Sequence, residues 1–177
     1  MALTANPIPS QVPFAAAPFD AMMAFCNAQT LTATGYFNNL NSGQLDIGGG
    51  TAGTTQGAGR TEGLWCFTVS AIDFSSVDEV YKLNLFGSND VAFGNGNVEL
   101  LHFHDFAATA ALRQVATILG ATPTIPPVGV VGTIFQIPFT NLMQRITYRY
   151  LRMYLVAAGT TPSITLTAWC SWGGNYH

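Results

Sequence analysis

The sequence predicts an all-β fold, an antiparallel β-sandwich or jelly roll, with an extended N-terminal arm and a long glycine-rich loop. Three observations predict it. From Leu64 onward, short segments alternate apolar and polar side chains with a period of two, the pattern of half-buried strands. Clusters of Gly, Asn, Asp, Ser and Pro separate these segments at short intervals, as turns do in sandwiches and barrels. Little of the chain carries the 3.6-residue period of an amphipathic helix. A barrel with Greek-key turns is the near alternative.

Residues 1–20 read as an arm. Pro7, Pro9, Pro13 and Pro18 remove backbone donors and fix φ, so this stretch is expected to be extended and irregular. Residues 21–177 read as one β-sandwich domain with a short aromatic C-terminal tail. Ala21–Ala28 reads as a short helical turn leading into a strand over Thr30–Tyr36. Gly43–Gly63 reads as a long surface loop, because Gly48-Gly49-Gly50, Gly53, Gly57 and Gly59 resist packing. Leu64–Ile72 alternates, with Trp65, Phe67, Val69 and Ala71 on one face and Cys66, Thr68 and Ser70 on the other. Val80–Phe86 follows, with Tyr81, Leu83 and Leu85 on one side, and Gly87-Ser88-Asn89-Asp90 reads as a turn. Beyond a second turn at Gly94–Asn97, Val98–Phe106 places Val98, Leu100, His102, His104 and Phe106 on one face.

Ala107–Leu119 has helix-forming composition, and 122–132 is a Pro/Gly-rich loop. Thr133–Phe139 carries Pro138, so it belongs at a strand end or a sheet edge. Ile146–Ala157 is the longest strand. Ile146, Tyr148, Tyr150, Arg152 and Tyr154 line one face; Thr147, Arg149, Leu151, Met153 and Leu155 line the other. Two apolar faces make it a central strand. After a turn at Gly159–Pro162, Ile164–Ser171 closes the set, with Ile164, Leu166 and Ala168 opposed to Thr165, Thr167 and Trp169.

Composition narrows the function. The 177 residues correspond to about one domain, enough to bury a core without metals or disulfides. Only 8% of residues are charged, against roughly 25% in an average soluble domain. The net charge of −3 argues against a dedicated nucleic-acid binder. Two long stretches lack charge, Gln114–Gln144 and Met153–His177. Prolines and glycines break both, so neither offers the roughly 20 apolar residues of a spanning helix. The N-terminus lacks a basic n-region, and a soluble, non-exported chain is expected. A surface so poor in Lys and Glu suits contact with other subunits.

Chemistry-bearing patterns are few. Cys26, Cys66 and Cys170 are widely spaced with no CxxC pair, and read as small buried hydrophobes in a reducing compartment. The glycine-rich loop lacks the Lys-Ser/Thr ending of a phosphate cradle; Arg60-Thr61 is its nearest approach. No Gly-x-Ser-x-Gly elbow occurs. His102-x-His104 on a strand is the sharpest candidate, since both imidazoles point to one face as in a strand chelate. With Gly96 before them, the two match the start of the cupin metal motif. The match stops there: Ala108 and Thr109 stand where that motif needs Glu, and the third histidine is the terminal His177. The competing reading packs both imidazoles at a partly buried or interface surface. No cofactor and no catalytic residue is expected.

Binding features are richer. Arg145, Arg149 and Arg152 surround a tyrosine-rich strand, and arginine with tyrosine is the composition of interface anchors. The alternative is ion pairing with acids such as Asp78, Glu79 or Glu99. Trp172 and Tyr176 form an aromatic tail with glycine hinges. Phe14 and Phe19 sit in the proline-rich arm. Each of these segments either folds back on the sandwich or docks on a neighbour. The expected interface set is therefore Phe14, Phe19, Arg145, Arg149, Trp172 and Tyr176.

Three stretches carry a family resemblance. Thr30-Leu31-Thr32-Ala33-Thr34, Gly87-Ser88-Asn89-Asp90-Val91-Ala92-Phe93-Gly94 and Tyr148-Arg149-Tyr150-Leu151-Arg152-Met153-Tyr154 resemble small head proteins of tailed bacteriophages, as does the Ala158–Ser163 turn. The nearest family is the capsid cement proteins of the Bordetella-phage type, over roughly residues 20–171. The chain departs from that pattern in its first 20 residues and in its 43–63 loop. The resemblance implies a jelly roll that decorates the outside of an icosahedral head and binds the major capsid protein and itself, as a dimer or trimer. It implies a virion protein present in the host cytoplasm during assembly, with no enzymatic activity and no direct contact with nucleic acid or membrane. The rivals are a phage tail or receptor-binding sandwich and a cupin-like metal enzyme.

Overall fold

A computed structural model describes residues 21–48, 59–94, 98–108, 111 and 130–171. It is an antiparallel β-sandwich. Its strands are β1 (Ala24–Leu31), β2 (Gly35–Tyr36), β3 (Gln44–Asp46), β4 (Glu62–Ile72), β5 (Val80–Ser88), β6 (Val98–Ala107), β7 (Ile134–Thr140), β8 (Leu142–Met143), β9 (Ile146–Thr147), β10 (Tyr150–Ala158) and β11 (Ile164–Ser171). One sheet has the order β1-β11-β4-β7. The other has the order β2-β10-β5-β6, with β3 beside β2 along the same flank of β10. β8 and β9 form a separate hairpin.

The period of two explains the layers. Leu151, Met153 and Leu155 of β10, Leu83 and Leu85 of β5, Trp65, Phe67 and Val69 of β4, and Ile164, Leu166 and Ala168 of β11 are all fully buried between the sheets. Each large apolar side chain placed there contributes about 1.5–3 kcal/mol. A second, smaller cluster joins Ala24, Leu64, Cys66 and Trp169 under Leu40.

Between β2 and β3 the chain leaves the sheet. Phe37 still donates its N–H to the Met153 carbonyl, and Ile47 donates to Arg149 on the far side. The intervening loop crosses to the other sheet. There Leu40 donates to the Phe25 carbonyl, and the Gln29 side chain accepts from the N–H groups of Asn38 and Asn39. This covers the edge strand β1, whose unpaired backbone would otherwise invite another chain. Gly43 makes the return possible: its φ is +66°, and a Cβ there would collide with the Phe37 carbonyl and stand 2.8 Å from Asn38 Cα.

Both ends of the sandwich are pinned by polar side chains. At one end the Tyr81 hydroxyl donates to the Asp73 carbonyl (2.6 Å) and accepts from Ser163 N–H (2.9 Å). At the other, Asn89 donates to the Thr147 carbonyl and accepts from Arg149 N–H.

Several sequence expectations need correction. The helical turn expected over Ala21–Ala28 is shorter: a 3-10 turn covers only Ala21–Met23, and β1 begins at Ala24 because Phe25 and Cys26 enter the core. The strand expected over Thr30–Tyr36 is split, ending at Leu31 and resuming at Gly35. Gly87 and Ser88 belong to β5 rather than to a turn, and a Cβ on Gly87 would meet Tyr148 Cβ at 2.8 Å. Ala107 ends β6. A bulge between β5 and β6 turns Leu101 into the core and breaks the single face expected for Val98–Phe106. The strand expected over Ile146–Ala157 is interrupted between β9 and β10, so Tyr148 is buried while Tyr150, Arg152 and Tyr154 stay on the outer side. β10 is nonetheless central, and Pro138 lies on an edge strand, β7. The arm 1–20, the loop centre at 49–58, residues 95–97, 109–110 and 112–129 and the tail from Trp172 onward lie outside the described residues.

Candidate interaction face

The outer faces of the two sheets differ in chemistry. The β1-β11-β4-β7 sheet presents hydroxyls. Thr30 and Thr165 share a 2.7 Å hydrogen bond, Ser70 donates to the Thr165 carbonyl, and Thr167 donates to Asn27. Such a surface satisfies itself.

The outer face of the β2-β10-β5 sheet carries aromatic and basic groups instead. Register sets Tyr36 beside Tyr154 and Arg152 beside Phe86. The Tyr36 and Tyr154 rings meet edge-on at 4.7 Å, and Phe86 lies 6.1 Å from Tyr154. Tyr36 and Val156 are each 41% exposed. The Arg152 guanidinium stands 5.1 Å from the Tyr36 ring and 4.7 Å from the Phe93 ring.

Phe93 reaches that position through a built turn. Asp90 accepts from the N–H groups of Ala92 and Gly94, and Ser88 Oγ accepts from Asp90 N–H. Phe93 itself adopts φ +53°. The turn over Ser88–Gly94 is thus the element that sets an aromatic ring against Arg152.

The other arginines separate from this group. Arg149 binds Asp46 with Nε and Nη2, both at 2.8 Å, and lies 5.1 Å from the Tyr150 ring. It ties β3 to β10, so its partner is Asp46 rather than Asp78, Glu79 or Glu99. Asp78 instead holds Thr160. The Glu79 carboxylate is buried and accepts from Ser76 N–H. Arg145 is exposed at the tip of the β8–β9 hairpin with φ +72°. Of the expected interface residues, Phe14, Phe19, Trp172 and Tyr176 lie outside the described residues. Sequence reading placed Arg152 beside a tyrosine strand but missed Tyr36 and Phe93, which pairing and turn geometry bring to it.

His102 and His104 face β4. The His102 ring lies 6.3 Å from Trp65; His104 packs 5.5 Å from Phe67, 4.8 Å from Phe106 and 5.1 Å from Phe135. His102 Nδ1 accepts from Phe103 N–H at 2.8 Å. The pair is a partly buried member of an aromatic cluster. Among the described residues, no group of three or more His, Cys, Asp or Glu stands close enough to hold a metal. The thiols are buried, and burial pushes Cys26 and Cys66 up to about 12 and Cys170 well above its ordinary value. That suppresses the thiolate a cysteine nucleophile needs. No protein-family model, no curated protein and no solved structure matches this chain.

Proposed function

We propose that this chain is a structural, non-enzymatic virion protein: a cement or decoration protein on the outside of an icosahedral phage head, bound to the major capsid protein lattice and stabilising it. The observation that carries the reading is the strand order. Taking β2 and β3 as one interrupted strand and setting aside the β8–β9 hairpin leaves eight principal strands. They lie first-eighth-third-sixth in one sheet and second-seventh-fourth-fifth in the other. That alternation supports a jelly roll, an architecture used by viral capsid proteins, lectins and cupins.

Within that group, the aromatic and arginine-bearing outer face favours a binding protein, and the packing of His102 on Trp65 and of His104 among phenylalanines disfavours a cupin metal centre. The resemblance of the 87–94 turn and the 148–154 strand to phage head proteins favours the capsid. A cement protein acts by linkage: it binds the assembled shell and not its separated parts, so it raises the temperature at which the head fails. A dimer or trimer is the expected unit.

The aromatic face also suits the rival reading, a tail or receptor-binding sandwich. Copy number separates the two. Quantitative mass spectrometry of purified virions is expected to give one copy per shell subunit or another simple lattice fraction. A handful of copies per particle, or none, would overturn the cement reading.

A further inference from the structure

Resting on the cement reading, we propose that Arg152 is the docking anchor of the outer β2-β10-β5 face and takes a carboxylate side chain, Asp or Glu, of the shell protein. Arg152 occupies the middle of that face, half-buried, with aromatic rings at Tyr36 and Phe93. Ring contacts hold a guanidinium in place without consuming its N–H donors. Those donors form a fork that matches a carboxylate.

Among the described residues Arg152 has no carboxylate partner. Arg149 and Arg60 do, in Asp46 and Glu62. A chain with only six basic residues therefore holds one of them half-buried and unpaired. A half-buried guanidinium of this kind favours an interface in which the charge is matched on closure.

The ligand class follows from charge. A nucleic-acid backbone needs several cations in a row, and Lys82, the next cation on this sheet, lies over Phe103 opposite Asp105. One guanidinium in an aromatic surround matches one carboxylate set in an apolar contact. A second copy supplies this poorly. Asp46, Glu62 and Asp78 are engaged by Arg149, Arg60 and Thr160; Asp73 and Asp90 cap their own turns; Glu79 and Asp105 are buried. Among the described residues that leaves Glu99. Under the cement reading the acid is instead the shell protein's, and self-association through Glu99 of a second copy is the competing outcome that the test separates.

The test uses heads assembled without this protein and the purified full chain, with near-UV circular dichroism confirming each variant's fold. Wild type is expected to saturate the heads. Arg152→Lys is expected to weaken binding about tenfold and Arg152→Ala about a hundredfold, because neither restores the two-pronged bond. Arg60→Ala is expected to bind like wild type. Equal binding of wild type and Arg152→Ala to heads would overturn the anchor and leave the cement reading standing. Failure of wild type to bind heads would overturn both. An effect of Arg152→Ala confined to self-association, or to retention on a sialylated glycan surface, would also overturn the proposal by giving the residue another partner.

Discussion

The fully buried Asn141 carboxamide accepts from Thr61 N–H at 2.7 Å, and so fixes the exit of the glycine-rich loop to the end of β7, eighty positions away in sequence. Its Nδ2 donates to the carbonyls of Tyr148 (3.0 Å) and Gly59 (3.2 Å). Its own backbone donates to Thr61 O and accepts from Tyr148 N–H. Replacing it with Leu keeps the branched skeleton but leaves one N–H and two carbonyls unpaired. Asn141→Leu is expected to cost about 2–4 kcal/mol, lowering Tm by on the order of 10 °C for a chain of this size. Calorimetry of the purified variant checks it. A loss within about 1 °C of zero would mean that solvent already satisfies these groups.

The Asp46–Arg149 pair gives a pH signature. The Arg149 hydrogen bonds and charge, with the Gly48 N–H, hold the Asp46 carboxyl below its usual range, while partial burial acts the other way. A carboxylate lowered in the folded state stabilises above its unfolded value, about 4, and loses that contribution as pH falls through the folded value. Arg149 keeps its charge throughout. Asp46 is 45% exposed, so the pair is screened and its effect is small. Arg149→Gln is expected to melt about 2 °C below wild type at pH 7, with the gap closing by pH 2. A gap unchanged at pH 2 would assign the role of Arg149 to its stacking on Tyr150.

What the sequence carried was period and punctuation. Leu64–Ile72 and Ile164–Ser171 were legible because alternation survives wherever one face is buried. The central place of β10 was legible because both its faces are apolar. β1 was not, because its apolar run, Ala24-Phe25-Cys26, is too short to show a period and follows helix-forming Ala and Met. Gly87 read as a turn, yet it is a strand residue whose missing side chain makes room for Tyr148 and Leu101. The interaction face was half legible. Arginines and tyrosines of one strand are visible in a row, but Tyr36 and Phe93 arrive from other elements, and no local pattern encodes that meeting.

The strand histidines give a third prediction. His102 Nδ1 is taken up by the Phe103 N–H, and His104 lies among Phe67, Phe106 and Phe135. Among the described residues no group of three or more His, Cys, Asp or Glu is assembled for chelation. Elemental analysis of the dialysed protein is expected to find zinc, iron and manganese each below about a tenth of the molar protein. A stoichiometric metal that is lost in His102→Ala would restore the cupin-like reading and remove the packing role assigned to the pair.

The thiols test the packing of both clusters at once. Cys26 lies in the main core with its Sγ turned to the Leu166 carbonyl, Cys66 lies beneath Leu40 and Trp169, and Cys170 faces the main core from β11. Burial disfavours the thiolate at all three, placing Cys26 and Cys66 at about 12. At pH 8 an ordinary thiol is about a quarter ionised, whereas one at 12 is ionised in about one molecule in 10,000. Reaction with an aromatic disulfide reagent at pH 8 is therefore expected to be undetectable over minutes in the native protein and to reach three thiols per chain in guanidinium chloride. In intermediate denaturant its rate should follow the fraction unfolded, because each sulfur becomes accessible only when its sheet opens. One fast native thiol would locate a breach in the sandwich. Its identity by peptide mapping would say which cluster had opened: the small one if Cys66, the main core if Cys26 or Cys170.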